Sequence, residues 1–321
     1  MPDVSVIVPA YNAAASLARA LESAFAQTHT DFEVILVDDA SRDATPGIAR
    51  ALAAREPRLK VLRNEATAGP SASRNRALRV AEGTWIALLD ADDAWLPERL
   101  ERMLATGPQA DVISDDIRIV VPGASAGGEA CGLLEHKGLT LARSRYLSAE
   151  EFVRHDFGLM KPLMRRAFLE QHGLAYDEER RLGEDFVLYF ELLAAGARWL
   201  QLPEGYYVYT RQPTSISNDL LALVEDKIDS IAGMRRHPAV ARDGALATAL
   251  MRQHLDWRGQ LAFWTVRGLV QERRLSEVVK ILAARPSFVP LIVRRLSANI
   301  YLRAIRRVRD PRRPTPARLL R

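Results

Sequence analysis

The chain opens on a short apolar run, Val4-Ser5-Val6-Ile7-Val8, that ends at Pro9 and predicts a buried strand. Ala13 to Gln27 follows, with Leu17, Ala20, Leu21 and Ala24 at helical spacing. The two patterns then alternate. Phe32 to Val37, Leu59 to Leu62, Trp85 to Leu89 and Asp111 to Ser114 predict further strands. Between them, Ala44 to Arg55, Pro70 to Glu82 and Pro97 to Ala105 predict helices. Asp43 or Ser41 is available to cap the first of these helices, and Gly83 to end the second. Strands and helices alternating in this way predict an α/β fold, a mostly parallel sheet flanked by helices on both faces.

The alternation weakens after Val120. Pro122 to Gly132 is rich in Gly, Ala and Ser and reads as an exposed loop. Leu159 to Gly173 reads as helix, and so does Phe186 to Ala195, whose first turn would carry Glu184 and Asp185. Trp199 to Leu202 and Tyr206 to Thr210 read as strands. From Leu220 onward the pattern is mainly helical, interrupted by Pro286 and Pro290. Two domains are expected, residues 1–217 and a helical extension over 218–321.

Composition narrows this picture. A chain of 321 residues that is 48% apolar can bury a core of real size. Cys131 is the single cysteine, which excludes a disulfide framework and fits a reducing cytoplasm. The start of the chain lacks the basic and apolar regions of a signal peptide, and no run is long enough to span a bilayer. A cytoplasmic protein is expected. The net charge of +5 is uneven, for Arg294 to Arg321 holds ten arginines against one acid, Asp310. A solvated tail is one reading. Attraction to an anionic membrane surface, at about 1 kcal/mol per residue, is the other, and places the protein peripherally at the inner face of the cell membrane. Phe288, Leu291, Ile292 and Val293, flanked by Arg285, Arg294 and Arg295, suit an in-plane membrane helix. Trp257, Leu261 and Trp264 share a helical face and read as core packing. No nucleic-acid-binding module is recognisable, so no nucleic-acid partner is expected. The six histidines lack metal-ligand spacing, and no Gly-rich phosphate loop supports an NAD or ATP site.

The candidate chemistry lies in the acids. Asp38-Asp39 follow the second strand, Asp90-Ala91-Asp92-Asp93 follow the fourth, and Glu184-Asp185 open a helical segment. Acids just past strand ends converge on the sheet edge where open α/β folds bind ligands. Three carboxylates within four residues repel unless a cation or water separates them. A hard divalent cation prefers such ligands and through them holds a diphosphate. Taken singly, the residues read more blandly. Asp39 suits a turn or helix cap, and Glu184-Asp185 an acidic first helical turn. Tyr11 reads as a loop tyrosine able to pack on a flat base. Arg74 has no acid three or four residues away and reads as solvated; Lys161 and Arg211 could each help hold a diphosphate and read by default as surface charges.

Five segments in order carry a resemblance: Val6-Ile7-Val8-Pro9-Ala10-Tyr11-Asn12, Val37-Asp38-Asp39-Ala40-Ser41-Arg42-Asp43, Gly69-Pro70-Ser71-Ala72-Ser73-Arg74-Asn75, Asp90-Ala91-Asp92-Asp93 and Gly183-Glu184-Asp185. Together they resemble the inverting glycosyltransferases of family 2, which have the GT-A fold, over residues 3–217. Lys161-Pro162-Leu163-Met164-Arg165-Arg166, Tyr176-Asp177-Glu178 and Gly183-Glu184-Asp185-Phe186 narrow the likeness to bacterial exopolysaccharide glucosyltransferases of the succinoglycan type. The resemblance implies a GT-A catalytic domain over 1–217 and transfer of a hexose, glucose for preference, from a UDP-sugar. The acceptor is then a hydroxyl of a growing glycan or lipid-linked oligosaccharide, and the cofactor Mn2+ or Mg2+. It implies that Asp39 reads the uridine beside Pro9, Tyr11 and Asn12, and that Arg74 lies near the nucleotide. Asp92 binds the metal, Asp90 contacts the ribose or metal-bound waters, and Asp93 does either. Asp185 is the general base, and Glu184 supports it or binds an acceptor hydroxyl. Tyr209-Thr210-Arg211-Gln212-Pro213-Thr214-Ser215 lacks the Gln-x-x-Arg-Trp signature of processive synthases. Two rival readings remain. A nucleotidyltransferase needs a basic phosphate loop near the first strand, which the sequence does not show. A non-catalytic nucleotide- or glycan-binding module would have no use for Asp185.

Overall fold

A computed structural model describes residues 1–120, 131–180, 182–210 and 220–293, without the side chains of Cys131 and Leu220. The chain forms two compact units, Met1–Asn218 with Arg236–Ala249, and Asp219–Arg235 with the residues from Leu250 onward.

The first unit is built on one sheet of strands β1 (Val4–Ala10), β2 (Phe32–Asp38), β3 (Leu59–Arg63), β4 (Trp85–Leu88), β5 (Ala94–Trp95), β6 (Val112–Val120), β7 (Cys131–Gly132), β8 (Arg145–Leu147), β9 (Leu163–Arg165) and β10 (Trp199–Thr210). Their order is β3-β2-β1-β4-β9-β6-β10-β5, with β7 on β6 and β8 on β10. The four strands from β3 to β4 are mutually parallel, and so are β6 and β10. The short β9 joins the two sets and is antiparallel to both of its neighbours, β4 and β6. β2 and β4 are buried along their whole length, as strands covered on both faces must be, and this produces their unbroken apolar runs.

Helices α1 (Leu17–Phe25), α2 (Thr45–Ala53), α3 (Pro70–Leu78) and α4 (Arg99–Thr106) connect the first strands. α1 buries Leu17, Ala20, Leu21 and Ala24, the residues at helical spacing. Each of the two leucines contributes about 1.5–3 kcal/mol by leaving water. Helices α5 (Leu133–His136), α6 (Ala149–His155), α7 (Arg166–His172) and α8 (Glu184–Ala194) follow, then α9 (Leu220–Met234), α10 (Pro238–Arg242), α11 (Gly244–Gln271) and α12 (Leu275–Ala284). The described residues beyond Leu220 are helical as expected, and α12 stops two residues before Pro286. Among them no helix is long and apolar enough to cross a membrane.

Four local expectations are corrected. α3 ends at Leu78, and Gly83 is no cap. A Cβ at Gly83 would lie 2.4 Å from the Ser5 backbone nitrogen, so glycine is needed for close approach to β1. There the Gly83 N–H donates to Ser5 Oγ at 2.8 Å. The stretch Leu159–Gly173 is not one helix. Pro162 cannot continue a helix and drives Lys161 toward extended backbone, and Leu163–Arg165 then pair with β4 and β6 before α7 begins. The expected strands at 199–202 and 206–210 are a single strand whose register shifts between Gln201 and Tyr207. β1 does not stop at Pro9 but runs to Ala10. Of the expected loop Pro122–Gly132, residues 122–130 lie outside the described residues.

Candidate functional site

The site gathers at the ends of β1, β2 and β4. β1 and β2 finish side by side, with Ala10 opposite Asp38. The loops that follow are bolted together. Asp39 N–H donates to the Ala10 carbonyl at 2.8 Å. Asn12 N–H donates to Ser41 Oγ at 2.9 Å, and Arg42 N–H donates to Asn12 Oδ1 at 2.9 Å. Asn12 has a left-handed φ of 48°, a conformation asparagine tolerates well. Beside it Tyr11 is half exposed, leaving ring surface free. Asp39 is buried. Its Oδ1 accepts from Asn64 Nδ2 at 2.7 Å and from the Ala68 N–H at 2.9 Å, and its Oδ2 accepts from the Gly69 N–H at 2.9 Å. These bonds set the loop that leads into α3.

α3 carries Arg74 into the centre of the site. Its guanidinium is 4% exposed. Nη2 donates to Asp90 Oδ1 at 3.0 Å and Nη1 to Glu184 Oε1 at 2.7 Å. The Tyr176 ring centroid lies 5.2 Å from its Cζ. A second cation, Lys161, is equally buried at 4%. Its Nζ lies 2.8 Å from Asp90 Oδ2 and 2.7 Å from Asp185 Oδ2. Two cations and three carboxylates thus join the end of β4 to the first turn of α8. Burying an unpaired ion costs several kcal/mol, and mutual pairing offsets that cost.

The pairing sets the proton affinities. Burial alone would raise the pKa of Asp90, but the charges of Lys161 and Arg74 overcome it and hold this carboxyl well below the usual range. Burial would lower the pKa of Lys161, and Asp185 and Asp90 override it and raise the value. Glu184 is raised, by burial first and then by the charge of Asp185. Asp92 is also raised, by burial and then by Asp90. Among the described residues no cation pairs with the Asp92 carboxylate; its carbonyl oxygen accepts from Arg19. Among the described residues, Asp185 Oδ1 is buried with no hydrogen-bond partner, as are Arg74 Nε and the hydroxyls of Tyr176 and Tyr189.

Two braces hold this cluster from behind. Asp93 is fully buried, and its Oδ2 accepts from Tyr207 OH at 2.7 Å while Oδ1 accepts from the Thr210 N–H at 2.8 Å. Burial and then the Asp90 charge push its pKa up to about 8. Arg99 and Asp115, both buried, pair at 2.8 Å. Arg99 also donates to the Lys161 carbonyl, and its Cζ lies 4.7 Å from the Trp95 ring centroid and 5.2 Å from that of Tyr207. Asp115 Oδ2 accepts from the N–H groups of Tyr206 and Tyr207, each at 2.9 Å.

The description Glycosyl transferase family 2 matches residues 5–130. Along nearly the whole chain, the succinoglycan biosynthesis protein ExoO of Rhizobium meliloti is 34% identical over 301 residues, covering 89% of this chain and 82% of the relative. The chain belongs to glycosyltransferase family 2. The fold of this glycosyltransferase is that of Staphylococcus aureus (S. aureus) TarS, solved in complex with UDP-GlcNAc. The TM-score is 0.64 at 21% identity, over 81% of this chain and 80% of that one. It is also similar to the mannosyltransferase PcManGT from Pyrobaculum calidifontis, solved with GDP-Man and Mn2+. There the TM-score is 0.58 at 20% identity, over 97% of this chain and 81% of that one. These likenesses identify the GT-A fold.

The glycosyltransferase brings Arg74, Asp90, Glu184 and Asp185 into one cluster, with Asp92 beside it and Pro9, Tyr11, Asn12 and Asp39 at the neighbouring strand ends. Two readings made from single residues are corrected. Arg74 is not solvated, because its partner Glu184 comes from 110 residues away. Lys161 is no surface charge. Asp93 faces inward to Tyr207 and Thr210 rather than toward a ligand. Arg211 lies outside the described residues. Sequence reasoning missed Arg99 and Tyr207 and took Lys161 by default for a surface charge. The available signal was a lone cation inside an apolar stretch, with Met160 before Lys161 and Leu163 after Pro162.

Proposed function

We propose that this glycosyltransferase moves a hexose, best read as glucose, from a UDP-sugar to a hydroxyl of a growing polysaccharide, with inversion. Residues 1–217 are the catalytic domain and 218–321 a helical extension. The observation that carries the reading is Asp185: one carboxylate oxygen is fixed by Lys161, and the other is buried with no hydrogen-bond partner among the described residues. Inversion needs a hydroxyl to attack the anomeric carbon opposite the leaving group, and a carboxylate there removes its proton as the bond forms. Asp185 Oδ1 is the acceptor for that proton. The transition state has oxocarbenium character, as in glycoside hydrolysis, and Glu184 binds or orients the attacking sugar. The UDP-GlcNAc held by TarS supports a uridine donor, and the role of ExoO in succinoglycan biosynthesis supports a polysaccharide product.

Tyr11 packs on the base, flanked by Pro9 and Asn12. Asp39 Oδ2 takes one internal hydrogen bond, and a carboxylate oxygen has two acceptor positions, so the uracil imino N–H has a place. Arg74 and Asp90 form the wall between nucleotide and sugar. Among the described residues no three acids, histidines or cysteines are grouped to hold a metal. Asp92 fits one all the same, being a half-buried carboxylate that no cation pairs with among the described residues. Mn2+ or Mg2+ held through it would complete its shell with diphosphate oxygens and water and neutralise the leaving group.

Calorimetry of UDP binding tests the donor site. Wild type is expected to bind UDP in the presence of Mn2+ and to lose that binding in Asp92→Ala. Absence of UDP binding with or without Mn2+ overturns the uridine donor, and metal-dependent binding that survives in Asp92→Ala removes Asp92 from the metal site.

A lipid-linked acceptor would be met at a membrane surface. α12 exposes Leu275 and Val279, one turn apart and 61% and 67% accessible, with Lys280 and Arg285 also exposed. The arginine-rich stretch after Val293 lies outside the described residues. Sedimentation with phosphatidylglycerol vesicles, weakening with salt, is expected. Equal indifference to phosphatidylglycerol and phosphatidylcholine vesicles overturns the peripheral location.

A further inference from the structure

We infer that Lys161 is a positioning residue for transfer: its ammonium fixes Asp185 Oδ2 and leaves Oδ1 as the proton-accepting atom, and it couples the base to the donor-side carboxylate Asp90. The inference rests on Asp185 being the base.

Lys161 Nζ lies 2.7 Å from Asp185 Oδ2 and 2.8 Å from Asp90 Oδ2. A carboxylate is planar, so holding one oxygen restricts where the other can lie. The second cation does not compete for that other oxygen. Arg74 Nη1 is 3.7 Å from Asp185 Oδ1, beyond hydrogen-bond distance, with Nη1 donating to Glu184 and Nη2 to Asp90. Arg74 thus hydrogen-bonds Asp90 and Glu184 and adds only its charge near Asp185 Oδ1, while Lys161 holds Asp90 and Asp185 directly.

The lysine is itself firmly mounted. Its carbonyl accepts from Arg99, whose guanidinium is locked to Asp115. Pro162 follows, and then β9, paired on both edges. A lysine on the surface reaches its partners by chance rotamers. This one is aimed by three elements of the fold.

Charge gives it a second task. The groups around it are Asp90 from the end of β4 with Asp92 beyond, Arg74 from α3, Glu184 and Asp185 from α8, and Tyr176 from the segment before α8. Without Lys161, Arg74 alone would face Asp90, Glu184 and Asp185. Crowded like charges drive one of them to hold a proton. A proton taken up by this cluster opposes removal of another from the acceptor hydroxyl.

The test uses the full chain with Mn2+. The donor is whichever of UDP-glucose, UDP-galactose and UDP-GlcNAc the wild type cleaves fastest, with UDP release to water as the readout. Lys161→Met is expected to lower kcat by about 10–100-fold, the scale of a small misplacement at a reacting centre. UDP affinity should hold, and the acid limb of the kcat profile should move to higher pH. Lys161→Gln, which keeps a donor without the charge, serves if circular dichroism shows the methionine variant unfolded. Wild-type kcat and an unmoved limb in a folded variant, with Asp185→Asn inactive, overturn the role of Lys161 and leave the base in place. Loss of UDP affinity in step with kcat overturns it too, by placing Lys161 in donor binding. Full activity of Asp185→Asn removes the base itself, and the inference with it.

Discussion

Asp185→Asn is expected to slow UDP-sugar turnover by about 10²–10⁴-fold, the usual worth of a general base, with UDP binding unchanged. Asparagine has nearly the same shape. Its carbonyl oxygen still accepts from Lys161 Nζ, which in the native chain sits 2.7 Å from Asp185 Oδ2. The amide nitrogen then occupies the place of Oδ1, where it donates and cannot accept. The cluster stays assembled and only the proton acceptor is lost. Proton removal belongs to the transition state, so the loss falls on kcat and not on donor affinity. The check is steady-state kinetics beside calorimetry on the same preparation. More than about a tenth of wild-type turnover in a folded variant exceeds what loss of a general base allows and would remove Asp185 from the chemistry.

Arg99→Leu is expected to have the largest effect on stability, about 3–5 kcal/mol, because it leaves a buried carboxylate without its cation. Arg99 and Asp115 are 0% and 1% exposed. Among the described residues, Asp115 would keep only the Tyr206 and Tyr207 N–H groups as donors. At about 2–4 °C per kcal/mol, the thermal midpoint should fall by about 6–20 °C. Arg99→Leu with Asp115→Leu should recover part of this, since apolar groups replace a buried pair at little cost. Recovery is incomplete because the two N–H groups then lose their acceptor. A fall of under about 2 °C, worth about 1 kcal/mol or less, would show that the pair braces nothing.

What could be read from the sequence follows from how local each signal is. β2 and β4 are covered on both faces, so their apolar runs are continuous. α1 buries one face, so its leucines and alanines recur at helical spacing. β9 has no such mark. Leu163-Met164-Arg165 runs straight into α7 with similar composition, and only pairing to two distant strands makes it extended. Gly83 illustrates the same limit: a glycine after a helical run suits a cap, and its true reason is the backbone of Ser5. The aspartates at 38, 39, 90, 92 and 93 were legible because they stand just past strand ends, and Glu184 and Asp185 because they open a helix. The pairing of Arg74 and Lys161 with these acids was not, because nothing within a helical turn of either cation announces a partner. The three aspartates at 90, 92 and 93 carry one sequence signal, and the fold gives them three directions. Asp90 turns to Arg74 and Lys161, Asp93 turns to Tyr207, and Asp92 is left without a protein cation among the described residues.

The brevity of β9 limits where this chain can tolerate changes of length. Its register is set by Leu163 opposite Ile113, Met164 opposite Ile86 and Val112, and Arg165 opposite Trp85. Lys161 stands only two residues ahead of that anchor. One residue added or removed between them would move the lysine by about 3.3 Å along the chain. A slip of the strand itself would turn each side chain to the opposite face. Insertions are therefore excluded from this short interval, whereas the mostly exposed stretch Thr140–Arg143 ahead of β8 can lengthen without disturbing the ammonium.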